Sequence, residues 1–495
     1  MNILDHLCDD DRAAIIEPSG ASITFRALRR SAQQFGAGAA SRLGPEDRIL
    51  LLQPMGIPLY VVTAGLFSVG RTAVIVDPSA GVRRMRGAFA RARLLGVIGP
   101  PLVQALRLLA PELRGGALYA SAGWCPFTER IGAIEHSGGA VGATETAKTS
   151  VSSSLPPNTL ALITYTTGST GRPKAVARTH GLLDAQHRAL QGHMKLRASD
   201  VDLATLPIFA LNSLAAGATV AIADCDLRRP GAADPTRILD QIARHGVTTI
   251  SGSPAFFARI VEGLEARESV LPQIRAVWTG GARVSAALAQ RLCAVFPEAT
   301  VEIVYGSTEA EPIATIDCRA DSQALTDGEA DGRGALVGLP VPEITVRVVR
   351  SGTLEEAEDI GEIIVTGAHV NPAYWEDPEA DAANKIRDGE RVWHRTGDTG
   401  RRDSTGRIWL VGRTGDVVDG LHPFPVEAAA ERVQGIRRAA LIDFGGALLC
   451  VEGDGDLDAV RIAAGVARVR RVANIPVDRR HNAKVDRTAL RGLLQ

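Results

Sequence analysis

This chain has no excess of either charge. Lysine and arginine number 55 against 56 aspartate and glutamate, a net of −1, so nothing draws the whole protein toward nucleic acid or an anionic membrane; only a local basic groove is left for such partners. Cysteines are few. Cys8, Cys125, Cys225, Cys293, Cys318 and Cys450 form neither a CxxC pair nor a Cys/His ligand spacing, which argues against a disulfide framework or a zinc module and for a reducing, cytoplasmic setting. Residues 1–12 carry His6 and four aspartates where a secretory signal would need a basic region and an apolar run. No internal repeat with a period of roughly 20–50 residues is present. One uncharged run, 49–70, is about long enough to span a bilayer. It contains Gln53, Pro54, Gly56 and Pro58, however, and reads as a short strand, a turn and a helix from near Pro58, not as a transmembrane segment.

The remaining composition is that of a globular protein. Of 495 residues, 45% are hydrophobic and 22% charged, which suits two to four domains at roughly 150 residues each. Short apolar strands (48–52, 72–76, 160–164, 247–251) alternate with amphipathic helical stretches, the pattern of doubly wound α/β layers with parallel sheets. Residues 137–157, rich in Ser, Gly, Thr and Ala, read as a flexible connector, and 321–334 as an acidic surface loop. From 335 the strands become shorter and turn-rich (346–349, 362–365, 407–411), which indicates a β-rich subdomain over about 335–412. A last segment of about 80 residues, 413–495, is long enough for a small α/β domain.

The most informative stretch is Thr164-Tyr-Thr-Thr-Gly-Ser-Thr-Gly-Arg-Pro-Lys174. It follows an expected strand, offers hydroxyls and two glycines that let backbone N–H groups approach an anion, and ends in a cation, so it suits polyphosphate. It is not the P-loop of NTPases, because Gly171 is followed by Arg-Pro-Lys-Ala where that loop needs Lys and then Ser or Thr. Ser169 lacks the Gly-x-Ser-x-Gly elbow of a covalent nucleophile. His180, His187 and His193 do not share one helical face, which speaks against a metal site and for core or solvated histidines.

On these residues the chain resembles the adenylate-forming superfamily of acyl-CoA synthetases, peptide-synthetase adenylation domains and luciferases. The family loop TSGSTGxPKG is matched by 166–174, with Ala175 where glycine is usual. Its YGxTE motif is matched by Tyr305-Gly-Ser-Thr-Glu309, its RTGD motif by Arg395-Thr-Gly-Asp398 with Gly412-Arg413 following, and its C-terminal GKxDR by Ala483-Lys-Val-Asp-Arg487. The resemblance implies attack of a carboxylate on the α-phosphorus of ATP, with pyrophosphate released and an acyl-adenylate formed.

The resemblance also implies roles. Thr166, Thr167, Gly168, Ser169, Thr170, Gly171 and Lys174 would wrap the β- and γ-phosphates. Thr308 would position the α-phosphate and Glu309 would hold Mg²⁺. Tyr305, with Gly306 and Ser307, would offer an aromatic face to adenine, beside a further nucleotide-binding turn at Gly280, Gly281 and Ala282. Asp398 would accept hydrogen bonds from the ribose hydroxyls, assisted by Arg413. Lys484 would meet the charge that develops around the pentavalent phosphorus. An inactive adenylate-binding protein on this fold is the remote alternative, disfavoured by Lys174, Glu309, Asp398, Arg413 and Lys484 occurring together.

Substrate clues lie around Phe209, Ala210, Leu211 and Trp278, with Leu214, Phe256 and Phe257 as apolar neighbours or plain core. Amino-acid-activating members place Asp after the phenylalanine; Ala210 there removes the counter-ion of an α-ammonium, so the expected acid is hydrophobic or fatty. For the second step two outcomes stay open. Transfer to a thiol of CoA or of a carrier protein's phosphopantetheine would use a turn of the C-terminal domain about a hinge over 413–416, at Gly415. Yet the family's KIRGxRIE-like run is replaced by Val418-Asp-Gly-Leu-His-Pro-Phe-Pro-Val-Glu427. Residues 202–211, 226–230, 305–314 and 475–484 are instead similar to the olefin β-lactone synthetases of bacterial hydrocarbon biosynthesis, where the acid's own β-hydroxyl displaces AMP.

Overall fold

The computed structural model describes residues 3–76, 82–144, 155–167, 173–478 and 484–495. The chain forms two compact units, one of Met1–Asp224, His245–Val247 and Asn371–Ala383, the other of Cys225–Arg244, Thr248–Val370 and Asn384–Gln495.

In the first unit a seven-stranded sheet runs in the order Glu129–Arg130, Leu118–Ser121, Leu94–Ile98, Arg48–Leu51, Thr72–Val76, Leu160–Thr167, Pro173–Thr179. All its pairings are parallel except the last, where Thr166 faces Lys174 across an antiparallel hairpin. Ile49, Leu50 and Val74 are fully buried, as strands covered on both faces require. Strands Val201–Ala204, Thr219–Ile222, Ala13–Ile16 and Ser22–Thr24 are hydrogen-bonded in that order. The uncharged run resolves into the Arg48–Leu51 strand and the helix Ile57–Ser68. That helix has 12 residues, about 18 Å at 1.5 Å each, and starts where the Glu17 carboxylate accepts the Ile57 N–H at 2.7 Å. Among the described residues no helix is long and apolar enough to cross a membrane.

Two expectations are corrected. The supposed connector 137–157 is helical in its first part, within Ile131–Thr144. Its small residues are a packing surface: a Cβ on Gly138 would overlap the Gln34 carbonyl oxygen of the helix Phe25–Ala40, and one on Gly38 would overlap the backbone of Ile134. Residues 145–154 lie outside the described set. The acidic loop 321–334 is likewise mostly a helix, Ser322–Ala330, with Leu325 buried and Gly328 seated on the Trp409 ring. Leu325 and Gly328 lie three residues apart, so one narrow face buries while Asp327 stays in water and Glu329 turns to the Arg283 guanidinium.

In the second unit parallel strands Thr249–Gly252, Ala276–Gly280 and Thr300–Ser307 lead into an antiparallel series, Ala310–Asp317, Ala335–Pro340, Ile408–Arg413, Arg391–Arg402, Gly361–Gly367 and Ile344–Val349. Its last 70 or so residues build a three-stranded sheet, Ile436–Asp443, Ala447–Gly453 and Val469–Arg471, with helices Pro423–Glu431, Leu457–Ala464 and Arg487–Leu494. The mixed α/β class read from the sequence is thus observed.

Glu427 is buried beside the sheet, accepting the Leu441 N–H at 3.0 Å and the Arg487 guanidinium. Burial pushes its carboxyl from 4.5 up to about 7, against the pull of Arg487 and Arg283. The folded form therefore binds a proton more tightly than the unfolded chain does. This group's stabilising contribution is complete below about pH 4.5 and is lost as pH rises through 7. Glu427→Gln is expected to remove that dependence, so the melting temperature of the wild type relative to the variant should fall between pH 5 and pH 8 in parallel thermal melts.

Candidate active site

Asp398 is the most completely held of the expected site residues. It lies on the Arg391–Arg402 strand opposite Arg413 of the Ile408–Arg413 strand, just after Gly397, whose φ of +71° turns the backbone through the left-handed region. Arg413 Nη1 donates to Asp398 Oδ1 at 2.8 Å, and the Tyr305 hydroxyl donates to Oδ2 at 2.7 Å. The Asp398 N–H donates to Thr396 Oγ1 at 3.0 Å, and the Thr396 hydroxyl donates to the Ile363 carbonyl at 2.8 Å, which anchors the turn to the neighbouring strand. Burial and the adjacent carboxylate push the Tyr305 phenol well above its usual range, so it stays a neutral donor. The Asp398 charge pulls the Arg413 guanidinium upward. Each carboxylate oxygen thus has one partner from the protein and lone-pair capacity left over, aimed by two fixed donors.

Tyr305 has a partner besides its expected role. Its ring is buried in a cluster with Ala310, Ile313 and Ala314 and its hydroxyl is committed to Asp398. From the sequence alone the phenol had no visible partner, because Asp398 is 93 positions away. Tyr305, Gly306 and Ser307 end the Thr300–Ser307 strand, and Ser307 pairs with Ala310, which leaves Thr308 and Glu309 as the two-residue tip of the hairpin. The Glu309 N–H donates to Ser307 Oγ at 3.3 Å. Among the described residues no three His, Cys, Asp or Glu side chains come together as a metal cage. A single carboxylate at a hairpin tip fits Mg²⁺, which takes one or two carboxylates and draws its other ligands from phosphates and water.

Gly280, at the carboxyl end of the Ala276–Gly280 strand, is followed by Gly281 at φ +84° and Ala282. The next residue, Arg283, was not singled out by sequence. It is paired with Glu329 at 3.5 Å and with Glu431 of the Pro423–Glu431 helix. Trp278 is buried and its indole N–H donates to Glu302 at 2.9 Å, while Phe256 and Phe257 are fully buried in an edge-to-face pair at 5.9 Å. Lys484 is exposed, and its backbone is clamped reciprocally with Asp478: Lys484 N–H to Asp478 Oδ1 at 2.9 Å and Asp478 N–H to the Lys484 carbonyl at 2.7 Å. Residues 479–483, including Ala483, lie outside the described set. Gly415 sits in the single turn Thr414–Asp416 with open space where a Cβ would be, whereas Gly412 is the constrained glycine, with φ +151° and Pro423 within 2.5 Å of an added Cβ.

In the first unit, Thr166 and Thr167 end one strand of the hairpin and Lys174 is the second residue of the next, after Pro173. The Lys174 ammonium lies 5.6 Å from the centre of the Tyr374 ring, a cation–π distance. Gly168, Ser169, Thr170 and Gly171 are outside the described residues. Phe209, Ala210 and Leu211 lie on the helix Pro207–Ala215 and are buried, as is Leu214. His180 and His187 are buried on the helix His180–Met194, with His187 Nδ1 2.8 Å from Asn212 Oδ1.

Strand-end hairpins, a carboxylate anchored by a phenol and a guanidinium, and the ordered motif set belong to one class: this is an ATP-dependent, AMP-forming ligase of the adenylate-forming fold. The chain belongs to the AMP-binding enzymes, whose family profile matches residues 8–375. It is 31% identical to the olefin beta-lactone synthetase of Stenotrophomonas maltophilia, across 95% of this chain and 90% of that one. It is 30% identical, with the same coverage, to that of Xanthomonas campestris pv. campestris. A putative acyl-CoA ligase, YdaB of Bacillus subtilis, is 26% identical across 89% of this chain and 85% of its own. In fold it matches the amide bond synthetase McbA from Marinactinospora thermotolerans (TM-score 0.80, 22% identity, 99% and 98% of the two chains). It matches ATP-bound MatB from Rhodopseudomonas palustris equally well (TM-score 0.81, 22% identity, 100% and 99%).

In the sequence Arg395 is only the first residue of the Arg-Thr-Gly-Asp motif; in the structure it holds a buried charge. Its guanidinium donates to the Glu362 carboxylate at 2.8 and 3.0 Å, and that carboxylate is nearly inaccessible to water. Ser351 Oγ and the Gly352 N–H supply its remaining donors, at 3.0 and 3.1 Å. Arg395→Ala would leave a buried carboxylate with neutral donors alone. It is expected to cost about 3 kcal/mol in urea unfolding at pH 7.

Proposed function

We propose that the enzyme activates a hydrophobic β-hydroxy acid as its acyl-adenylate and then closes that intermediate to a β-lactone. The observation that carries this reading is the similarity to olefin beta-lactone synthetases along 95% of the chain. The buried Ala210 adds to it, because the helix there offers no carboxylate after Phe209 to pair an α-ammonium.

In the first step a carboxylate oxygen attacks the α-phosphorus and the bond to the β-phosphate bridging oxygen breaks, releasing pyrophosphate. Asp398, aimed by Tyr305 and Arg413, would accept from both ribose hydroxyls, and the 166–174 hairpin with Lys174 would hold the β- and γ-phosphates. Thr308 would orient the α-phosphate, and Glu309 would be the protein's ligand for Mg²⁺. The ion supplies charge neutralisation on phosphate oxygens. Lys484 would meet the charge that builds around the phosphorus, brought there by a turn of the segment 413–495 about 413–416, where Gly415 meets no steric obstacle. In the second step the β-hydroxyl oxygen attacks the acyl carbonyl carbon and its proton leaves. The carbon–oxygen bond to AMP breaks, and the product is the acid less one water.

A second reading is transfer to the thiol of CoA or of a carrier protein, favoured by relatives such as the putative acyl-CoA ligase of B. subtilis. The two separate in one assay: enzyme, ATP, Mg²⁺ and β-hydroxy fatty acids with no thiol, followed by mass spectrometry. The lactone reading expects multiple turnovers to AMP and a product one water lighter than the acid, with only adenylate from the 3-deoxy acid; adenylate that stalls until CoA or a carrier protein is added would establish the thiol reading instead. Lys484→Ala is expected to slow pyrophosphate release by about 10²–10³-fold with ATP affinity near that of the wild type. An unchanged rate would remove Lys484 from the chemistry.

A further inference from the structure

The seven-stranded sheet carries at one side a surface that the activation chemistry leaves unused. Two segments build it, the helical stretch 101–109 and the loop 122–128 that follows the Leu118–Ser121 strand. They adjoin at both ends: Gly123 packs on the Pro101 ring, with 3.9 Å between an added Cβ and the ring carbon, and Arg107 Nη1 reaches the Phe127 carbonyl at 3.5 Å. Leu102, Leu108, Leu109, Trp124 and Phe127 project from them with 63–92% of their surface in water. Five large apolar side chains so exposed on adjoining segments make a patch, where single exposed leucines would be unremarkable.

The charge around this patch is basic, in a chain whose net charge is −1. Between residues 86 and 130 there are six arginines and two acids, Glu112 and Glu129. Both acids are matched by arginine, Glu112 by Arg86 at 2.8 Å and Glu129 by Arg42 at 2.7 Å. On the patch itself the Arg107 guanidinium stacks 3.6 Å from the Tyr119 ring centre, and Arg114 donates at 2.8 Å to the carbonyls of Arg107 and Leu108. Their positive charge is therefore held beside the leucines by a ring and by backbone oxygens.

We propose that this face docks the enzyme on an anionic lipid surface. Trp124 and Phe127 at a loop tip and leucines on a short helix would enter the headgroup boundary, with Arg107 and Arg114 at the level of the phosphates. The assignment rests on the complementarity of exposed apolar side chains and uncancelled arginine to such a surface, and it holds whichever second step the enzyme performs.

The test is co-sedimentation of the full chain with vesicles of phosphatidylglycerol and phosphatidylcholine in equal parts, against vesicles of phosphatidylcholine alone. The wild type is expected to pellet with the anionic vesicles and to be released by salt. The double variant W124S/F127S, and separately L102S/L108S, should each lower the partition coefficient by about 100-fold, since two buried apolar side chains are lost in each. Pyrophosphate exchange with a water-soluble acid should be unchanged, which reports that each variant is folded. Failure of the wild type to bind either vesicle overturns the proposal, as does binding that neither pair of substitutions weakens. Self-association without vesicle binding, abolished by the same substitutions, would also overturn it and give the face to a second copy of the chain.

Discussion

The grip of Tyr305 and Arg413 on the Asp398 carboxylate is the contact around which the second unit is organised. One donor comes from the strand that ends in the Thr308–Glu309 hairpin, the other from the strand that leads out to the C-terminal segment. A neutral phenol and a permanent cation acting on the same anion keep it charged and aimed. The order imposed is local: whatever fixes Asp398 also fixes the register of two antiparallel strands and the approach of a third.

That register depends on a second charge. Glu362 and Arg395 lie on neighbouring strands, with Arg395 three residues before Asp398 and Glu362 in register with Thr399 just after it, and their pairing leaves the Asp398 turn little freedom to slide. Thr396 finishes the arrangement by bonding both the Asp398 N–H and the Ile363 carbonyl. The motif read as a nucleotide-binding signature is therefore, in three of its four residues, a device for holding the fourth.

Chemistry was more legible in the sequence than packing. The strands 72–76 and 362–365, the strand-turn-helix reading of 49–70 and the strand leading into the 164–174 loop were visible because apolar runs and turn residues are local signals. The helices Ile131–Thr144 and Ser322–Ala330 were not, since each buries only a few residues, Ile131, Ile134 and Gly138 in one and Leu325 and Gly328 in the other, amid small and polar residues that composition reads as loop. Within the site, the identity of Asp398 could be read from a short motif, whereas the Tyr305 hydroxyl, Arg283 and Glu362 act through partners 30 or more positions away. Such pairs leave no mark at any one place in the chain.

The helix Phe25–Ala40 touches a neighbouring helix through glycine on two sides, Gly36 against the Gly65 carbonyl and Gly38 against Ile134. A glycine-rich stretch is where a protein engineer would ordinarily insert a tag or open the chain for permutation. Here residues 131–144 are among the tightest joints of the unit, so a fluorescent probe or affinity handle belongs on an exposed turn such as 404–406, where Asp403 already stitches the loop together through its own side chain.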